Sequence, residues 1–304
     1  MSSTTRGYLF VTLAAALWGV SGSAAKFLAS NKAVPPFLLV QMRMGLSFLI
    51  LAAALAVLAP ALLRIRWRDV PFFATWGIVG VAGVQFTYVL TLSETNVATA
   101  IFLQYLAPIL TALYAFVFDK QKLGSRLVLC LGLAMGGSFL LLAGGTTRLL
   151  VSPLGLAAGL VSAFFLSFYT VYGAKCVGRR SLSPWTVTCY GLGAGAVFWL
   201  ICDLVLLAMG RPIPGVALLG DGANWLFFAY LAIFATVVPF GLYLIGLRTV
   251  SPTQANLTGM LEPVIGSLTA YLVLGETLKP VQLAGGALIV LAVLLLQFRQ
   301  TRKA

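Results

Sequence analysis

Runs of about twenty apolar residues recur along the whole chain and restrict its fold more than any other feature. The hydrocarbon core of a bilayer is about 30 Å thick and takes about 20 helical residues to cross. Ten such runs are separated by charge clusters and Pro/Gly turns. They cover approximately residues 7–28, 37–59, 70–92, 96–118, 126–144, 153–175, 185–208, 225–247, 253–274 and 280–298. The sequence therefore predicts an all-α membrane protein with ten transmembrane helices.

The composition supports this class and excludes several functions. Hydrophobic residues make up 61% of the chain and charged residues 9%, against about 25% charged in a soluble domain. The net charge of +13 does not indicate nucleic-acid binding, because the basic residues lie in short loops between apolar runs. The absence of histidine excludes a His-based metal site and a Ser-His-Asp triad. We expect no metal, no cofactor and no enzymatic activity.

The distribution of Lys and Arg predicts the orientation. With the N-terminus inside, the inner segments hold 14 of these residues and the outer segments hold 5, while Arg43 falls within a span, which accounts for all 20. Such an excess is typical of cytoplasmic loops. Both termini are therefore expected in the cytoplasm. The first run is interpreted as a mature helix rather than a signal peptide, because it is long enough to span and the repeat described next requires it.

A repeat relates the two halves of the sequence. Under a shift of 155 residues, the stretch 87–123 aligns without gaps on 242–278, so that Tyr88 meets Tyr243 and Pro108 meets Pro263. Each half then contains five spans. Because five is odd, the second half enters the membrane in the opposite orientation. Inverted repeats of this kind are a recognised architecture of secondary transporters, with the binding site near the midplane between the halves.

The motifs that close each half resemble one family. They are Leu106-Ala107-Pro108, Leu261-Glu262-Pro263-Val264, and Leu274-Gly275-Glu276-Thr277-Leu278 followed by Gln282 and Gly285. With the five-plus-five pattern, they resemble the drug/metabolite transporter superfamily, EamA-type branch, over essentially the whole chain. The first half departs from the pattern, because Asp119-Lys120-Gln121 replaces Leu274-Gly275-Glu276.

The resemblance implies two EamA-type repeats, 1–148 and 149–304, in the bacterial inner membrane. It also implies transport of small metabolites, amino acids or drugs, often outward. The partners expected are a small-molecule substrate, the lipid bilayer and protons, and the chain is expected to be a monomer or a homodimer.

Glu262 is the main candidate for a functional residue. A charged side chain deep in hydrocarbon costs about 2.5–3.5 kcal/mol on insertion scales, and Pro263 beside it removes a helix donor and kinks the helix. Removal from water also favours the neutral form of a carboxyl. Four roles stay open: a proton carrier, a fixed charge for a cationic substrate, an ion pair with Arg43, and a protonated acid in a helix contact.

Other polar or aromatic residues occur at depths where exposure to lipid is costly. We expect them to face one central cavity together with Glu262, and we expect Pro108 to kink its helix as Pro263 does. These candidate residues are Trp18, Gln85, Tyr88, Gln104, Tyr169 and Asn256.

Arg43 lies inside the second span, and two interpretations remain. Its long side chain can reach the outer interface. Alternatively, its guanidinium binds a carboxylate of Glu262, Glu94 or a substrate.

These features predict a secondary active transporter, most simply an exporter of amino acids or related metabolites that works by alternating access, with proton coupling through Glu262. The alternative is efflux or uptake of cationic amphiphiles such as quaternary amines and drugs, since aromatic rings and one acid suit a cation. A membrane-embedded enzyme or receptor is disfavoured, because the chain offers one clear midplane acid and no histidine.

The charge asymmetry predicts that the 119–126 loop is cytoplasmic and the 145–152 loop is external. In a cysteine-free background, a membrane-impermeant thiol reagent added to intact cells should label Arg148→Cys and spare Lys122→Cys. The opposite pattern would overturn the orientation.

Overall fold

The computed structural model describes residues 2–31, 34–95, 97–144, 152–178, 180 and 182–298. Within these ranges all regular structure is helical, which confirms the predicted all-α class. The helices are α1 (Ser3–Asn31), α2 (Pro36–Leu58), α3 (Val70–Thr75, Trp76–Ala82 and Gly83–Glu94), α4a (Val97–Gln104), α4b (Ala107–Val117), α5 (Ser125–Ala143), α6 (Pro153–Val177), α7 (Pro184–Ala208), α8 (Gly222–Ala232, Ile233–Val237 and Val238–Gly246), α9a (Pro252–Gly259), α9b (Leu261–Leu274) and α10 (Pro280–Gln297).

Prolines and a glycine mark several helix ends. Pro153 and Pro252 occupy first helical positions, where the missing N–H costs nothing. The preceding serine caps each of these helices, and Ser251 forms a capping box with Gln254. Gly275 ends α9b with φ of +67°, the left-handed conformation that glycine adopts readily. The helix ends therefore follow from local sequence.

We call each numbered helix, with its pieces taken together, a rod. Eight rods, α2 to α8 and α10, are long and apolar enough to cross a membrane. In the described residues α1 and α9 are not among them, and α9 is divided at Met260 into pieces of 8 and 14 residues. Membrane-length helices are thus confirmed, whereas the predicted count of ten spans is not. The loop predicted at 145–152 lies almost entirely outside the described residues.

Two rods that the sequence presents as single spans are interrupted near mid-length. The α-helical geometry of α4 breaks at Tyr105 and Leu106, and that of α9 breaks at Met260. Pro108 and Pro263 each follow the break by a few residues. A proline ring clashes with the carbonyl four residues earlier and cannot donate to it, which accounts for both positions.

Two other rods contain π-helical segments, at Trp76–Ala82 in α3 and at Ile233–Val237 in α8. The second segment corresponds to residues 78–82 under the 155-residue shift. A π segment leaves backbone carbonyls without their usual helix partners, and such segments are frequent at functional sites. The sequence pattern gave no sign of them.

Helices that correspond under the repeat make corresponding contacts. α1 packs on α9 as α6 packs on α4, and α8 packs on α1 as α3 packs on α6. The last helices of the halves, α5 and α10, pack on each other through Gly137 and Gly285, whose backbones touch. The halves therefore interlock rather than stand side by side.

α1 approaches α9 most closely at Gly19. A Cβ at this position would lie 2.6 Å from the Glu262 carbonyl oxygen and 2.9 Å from the Gly266 nitrogen. Small residues permit such close contacts between membrane helices. The contact fixes α1 against the segment that carries Glu262.

Gly19→Ala should therefore destabilise the protein by about 1–3 kcal/mol, because the added methyl forces two backbones apart. The measurement is the thermal unfolding midpoint in detergent. Gly22→Ala is the matched control, since a Cβ there meets nothing within 4 Å and alanine favours a helix. Equal midpoints for the two variants would show that the contact is not tight.

Candidate functional site

Glu262 lies in the first turn of α9b, directly after the break in α9. The free N–H groups of a helix start favour a negative charge. The side chain lies deep in the bundle and is half-buried. The Tyr105 hydroxyl from the break in α4 is its hydrogen-bond donor, and Arg43 and Tyr88 are nearby electrostatic partners. The interrupted segments of both halves thus meet at this carboxyl.

Arg43 points inward from α2 and is held by the π segment of α8. Its Nε donates to Thr236 Oγ1 at 3.3 Å, and its Nη2 donates to the Ala235 carbonyl at 3.2 Å. One turn along α2, Ser47 Oγ donates to the Ala232 carbonyl at 3.0 Å. These contacts do not fit a side chain that extends to the membrane interface. Carbonyls that are free for tertiary contacts in the π segment stabilise the arginine instead.

The described residues contain no direct ion pair between Arg43 and Glu262. The Glu94 carboxylate is also occupied elsewhere, because it accepts from Ser152 Oγ at 3.0 Å at the start of α6. Gln85 of α3 lines a narrow pocket with Arg43, Met44 and Thr236. Its amide has no hydrogen-bond partner in the part of the chain that the structure describes.

Trp18 and Gln104 each adjoin in sequence a residue that contacts Glu262. Trp18 precedes Gly19, which touches the Glu262 backbone, and its ring contacts Phe240 and Tyr243 with centroid distances of 5.6 and 5.5 Å. Gln104 precedes Tyr105, and its Nε2 donates to Ser162 Oγ of α6 at 3.1 Å. Both side chains are half-buried.

Tyr169 and Asn256 are more enclosed than the other candidates, with 3% and 7% of their surfaces exposed. The Tyr169 ring stacks on Trp76 at 4.9 Å, and the Trp76 Nε1 donates to the Tyr169 carbonyl. Its hydroxyl has no partner among the described residues.

Asn256 is the centre of a buried polar network. Its Oδ1 accepts from Tyr243 at 2.7 Å and from Thr170 at 2.8 Å, and its Nδ2 donates to Thr111 at 2.8 Å. Thr111 also contacts Ser167 Oγ at 3.0 Å. The network joins α4b, α6, α8 and α9a. We call it the Asn256 network.

The candidates therefore occupy two neighbouring zones. In the first zone, Arg43 and Tyr88 lie beside Glu262, and Gln85 lies beside Arg43. Trp18 and Gln104 are half-buried, and each adjoins in sequence a residue that contacts Glu262. That all of these side chains face one cavity stays a prediction. Tyr169 and Asn256 lie in the sealed zone beside them. No three His, Cys, Asp or Glu side chains come together in the described ranges as a metal site would require.

Sequence reasoning missed Tyr105 and Thr236. Tyr105 had a usable signal, because it directly precedes the Leu-Ala-Pro that aligns with Leu261-Glu262-Pro263. Thr236 had none, because its contact with Arg43 depends on the π segment.

Comparisons with known proteins agree with this architecture. The sequence profile of the EamA-like transporter family matches residues 5–143 and again residues 153–298. The inner membrane transporter YicL of Salmonella typhimurium is 28% identical over 307 residues, covering 100% of this chain and 99% of that protein. A probable terminal-alkyne amino-acid exporter of Streptantibioticus cattleyicolor is 28% identical over 82% of this chain and 80% of its own. A crystal structure at 22% identity superposes with a TM-score of 0.79 over 98% of both chains, which shows the shared fold.

Breaking the Asn256 network should destabilise the protein. Asn256→Leu keeps a similar shape but leaves Thr111, Thr170 and Tyr243 without their partner, at a cost of about 1–3 kcal/mol for buried groups. The unfolding midpoint should fall. The midpoint of the double variant Asn256→Leu/Thr111→Val should lie close to that of Asn256→Leu, because both substitutions remove the same hydrogen bond.

Ser138→Ala is the control for this prediction, because the Ser138 hydroxyl is buried without a described partner and its loss should be neutral. A midpoint for Asn256→Leu as high as that of Ser138→Ala would mean that the network does not stabilise the fold.

Proposed function

Because the chain belongs to the EamA-like transporter family, we propose that it exports amino acids or related small metabolites by secondary active transport. Membrane transport itself follows from the family and from relatives named as inner membrane transporters. The chain is accordingly an integral inner-membrane protein that moves a small molecule across the bilayer. Amino acids are favoured as cargo by the name of one relative, an exporter of terminal-alkyne amino acids.

We propose two inverted five-helix repeats, 1–148 and 149–304, with both termini in the cytoplasm. The two separate profile matches support the division, as do the π segments about 155 residues apart. In such transporters the halves rock around a site near the midplane, which then opens to each side in turn.

The observation that carries the proposal is Glu262, an acid at the break of α9 that Tyr105 contacts from the break of α4. Irregular backbone inside a membrane is tolerated where it lines a cavity or is buried in protein. A substrate or proton that binds this carboxyl therefore acts where the interrupted segments of both halves meet.

Proton coupling is the mechanism we favour for Glu262. An acid in a dry site holds its proton, and access to water favours its release. Each orientation of the halves would then load or discharge one proton. No second titratable group is needed, and the chain has no histidine to supply one.

Transport of cationic amphiphiles is the second candidate. Tyr88 and Tyr105 lie close to Glu262, and aromatic faces attract quaternary amines. A proteoliposome uptake screen over amino acids, organic acids and quaternary amines, with and without a pH gradient, separates the two candidates.

Glu262→Gln tests the coupling, because it keeps the shape of the side chain and removes the change of charge. Gradient-driven accumulation in proteoliposomes should be lost, while exchange of labelled for unlabelled substrate continues. Glu94→Gln is the control, since Glu94 is exposed at the end of α3. Normal pH-gradient dependence in Glu262→Gln would refute proton coupling. Loss of binding would identify a cation site, and loss of folded protein a structural one.

A further inference from the structure

Arg43 is a cation inside a membrane helix that lacks a carboxylate partner. It lies seven residues after Pro36 at the start of α2, about 10 Å along the helix at 1.5 Å per residue. Intramembrane arginines are rare and normally paired. All seven acids of the chain fall within the described residues, and none is within ion-pair distance of Arg43.

The acids that come nearest in sequence or space have other roles. Glu94 binds Ser152, Asp203 accepts from Gln41 at 2.6 Å, and Asp69 pairs with Arg66 and Arg180. Glu262 interacts with Arg43 at longer range and has Tyr105 as its own donor. A direct protein counter-ion is therefore missing.

The guanidinium is nevertheless fixed in one orientation. Nε and Nη2 are anchored to Thr236 and Ala235, and only these two nitrogens have partners in the described chain. The donors of Nη1 have no partner in the described chain, and Arg43 and Gln85 line one narrow pocket, which in this conformation is too closed to admit a water molecule. The Gln85 amide is unpartnered too. Both side chains are only half-buried, so an opening of this pocket during transport would present their free N–H donors to a ligand.

We propose that Arg43 and Gln85 form a subsite for the carboxylate of the transported molecule. This proposal rests on the proposed transport function. It adds the chemical group of the substrate that is bound and the residues that bind it. A guanidinium and an amide both present N–H groups to an oxyanion, and the planar fork of arginine matches a carboxylate. The anchors from α8 preorganise that fork, which lowers the entropy cost of binding.

The subsite also orients the bound substrate. Glu262 and Arg43 are charges of opposite sign on α9b and α2, separated by more than an ion pair. A zwitterion would then bind with its carboxylate at Arg43 and its ammonium towards Glu262, without requiring a fixed charge there. A quaternary amine without a carboxylate leaves Arg43 unpaired.

Direct binding to the detergent-purified full chain tests the subsite without relying on transport. Thermal-shift titrations use the common amino acids and, for each that binds, the amine that lacks its carboxylate. The variants are Arg43→Gln, Arg43→Lys and Gln85→Leu. Arg68→Gln is the matched control, because Arg68 is exposed in the turn before α3. Gln85→Leu keeps the charge and tests the subsite even if loss of Arg43 impairs folding.

We expect the amine to bind about ten-fold or more weaker than the amino acid. We also expect Arg43→Gln and Gln85→Leu to weaken the amino acid by a similar factor and the amine by less than two-fold. Arg43→Lys should not restore binding, because an ammonium lacks the fork. Arg68→Gln should bind like the wild type.

Three results would overturn the subsite: an amine that binds as tightly as its amino acid, an unchanged dissociation constant in both Arg43→Gln and Gln85→Leu, or no binding of any carboxylate probe. The parallel uptake screen separates this failure from failure of the proposed function. Uptake of quaternary amines alone would keep transport and discard the subsite. Arg43-dependent binding without any uptake would keep the subsite and discard transport.

Discussion

Backbone hydrogen bonding in hydrocarbon is the constraint on which the rest of this structure depends. Lipid offers no donors or acceptors, so every peptide group in the bilayer must be satisfied within the protein. Regular helices do this, and wherever a helix departs from regularity the exposed groups need other partners. The departures occur at the breaks of α4 and α9 and in the π segments of α3 and α8. All four lie near mid-length of their rods.

The same constraint explains how charge is tolerated there. Arg43 is stabilised by a carbonyl and a hydroxyl of the α8 π segment, and Glu262 by the start of α9b and by Tyr105. An apolar helix without such irregularities would offer neither charge an adequate partner. The Gly19 contact adds rigidity, because it holds α1 against the backbone of Glu262. Irregular backbone and intramembrane charge therefore depend on each other.

The sequence predicted the helices well, because membrane-length apolar runs and Pro/Gly punctuation are local signals. It also identified Glu262 and Arg43, since charges in such runs are conspicuous. It did not predict the bond network of Asn256 or the contact of Arg43 with Thr236. Those contacts depend on the rotation of each helix about its axis and on the presence of a π segment. Small differences in packing energy determine both. Tyr105 was partly predictable, because the sequence shows it near the repeated proline but does not show that its hydroxyl donates to Glu262.

The differences between the repeats carry as much information as their likeness. Tyr88 and Tyr243 are equivalent under the 155-residue shift, yet only Tyr243 has an asparagine partner, because Asn256 corresponds to Ile101. Tyr243 is consequently held by Thr170 and Asn256, while Tyr88 is half-buried beside Glu262 and Arg43. A purely symmetric pair of halves would open equally well to either side. The hydrogen bonds of the Asn256 network therefore make the two halves unequal in their polar packing.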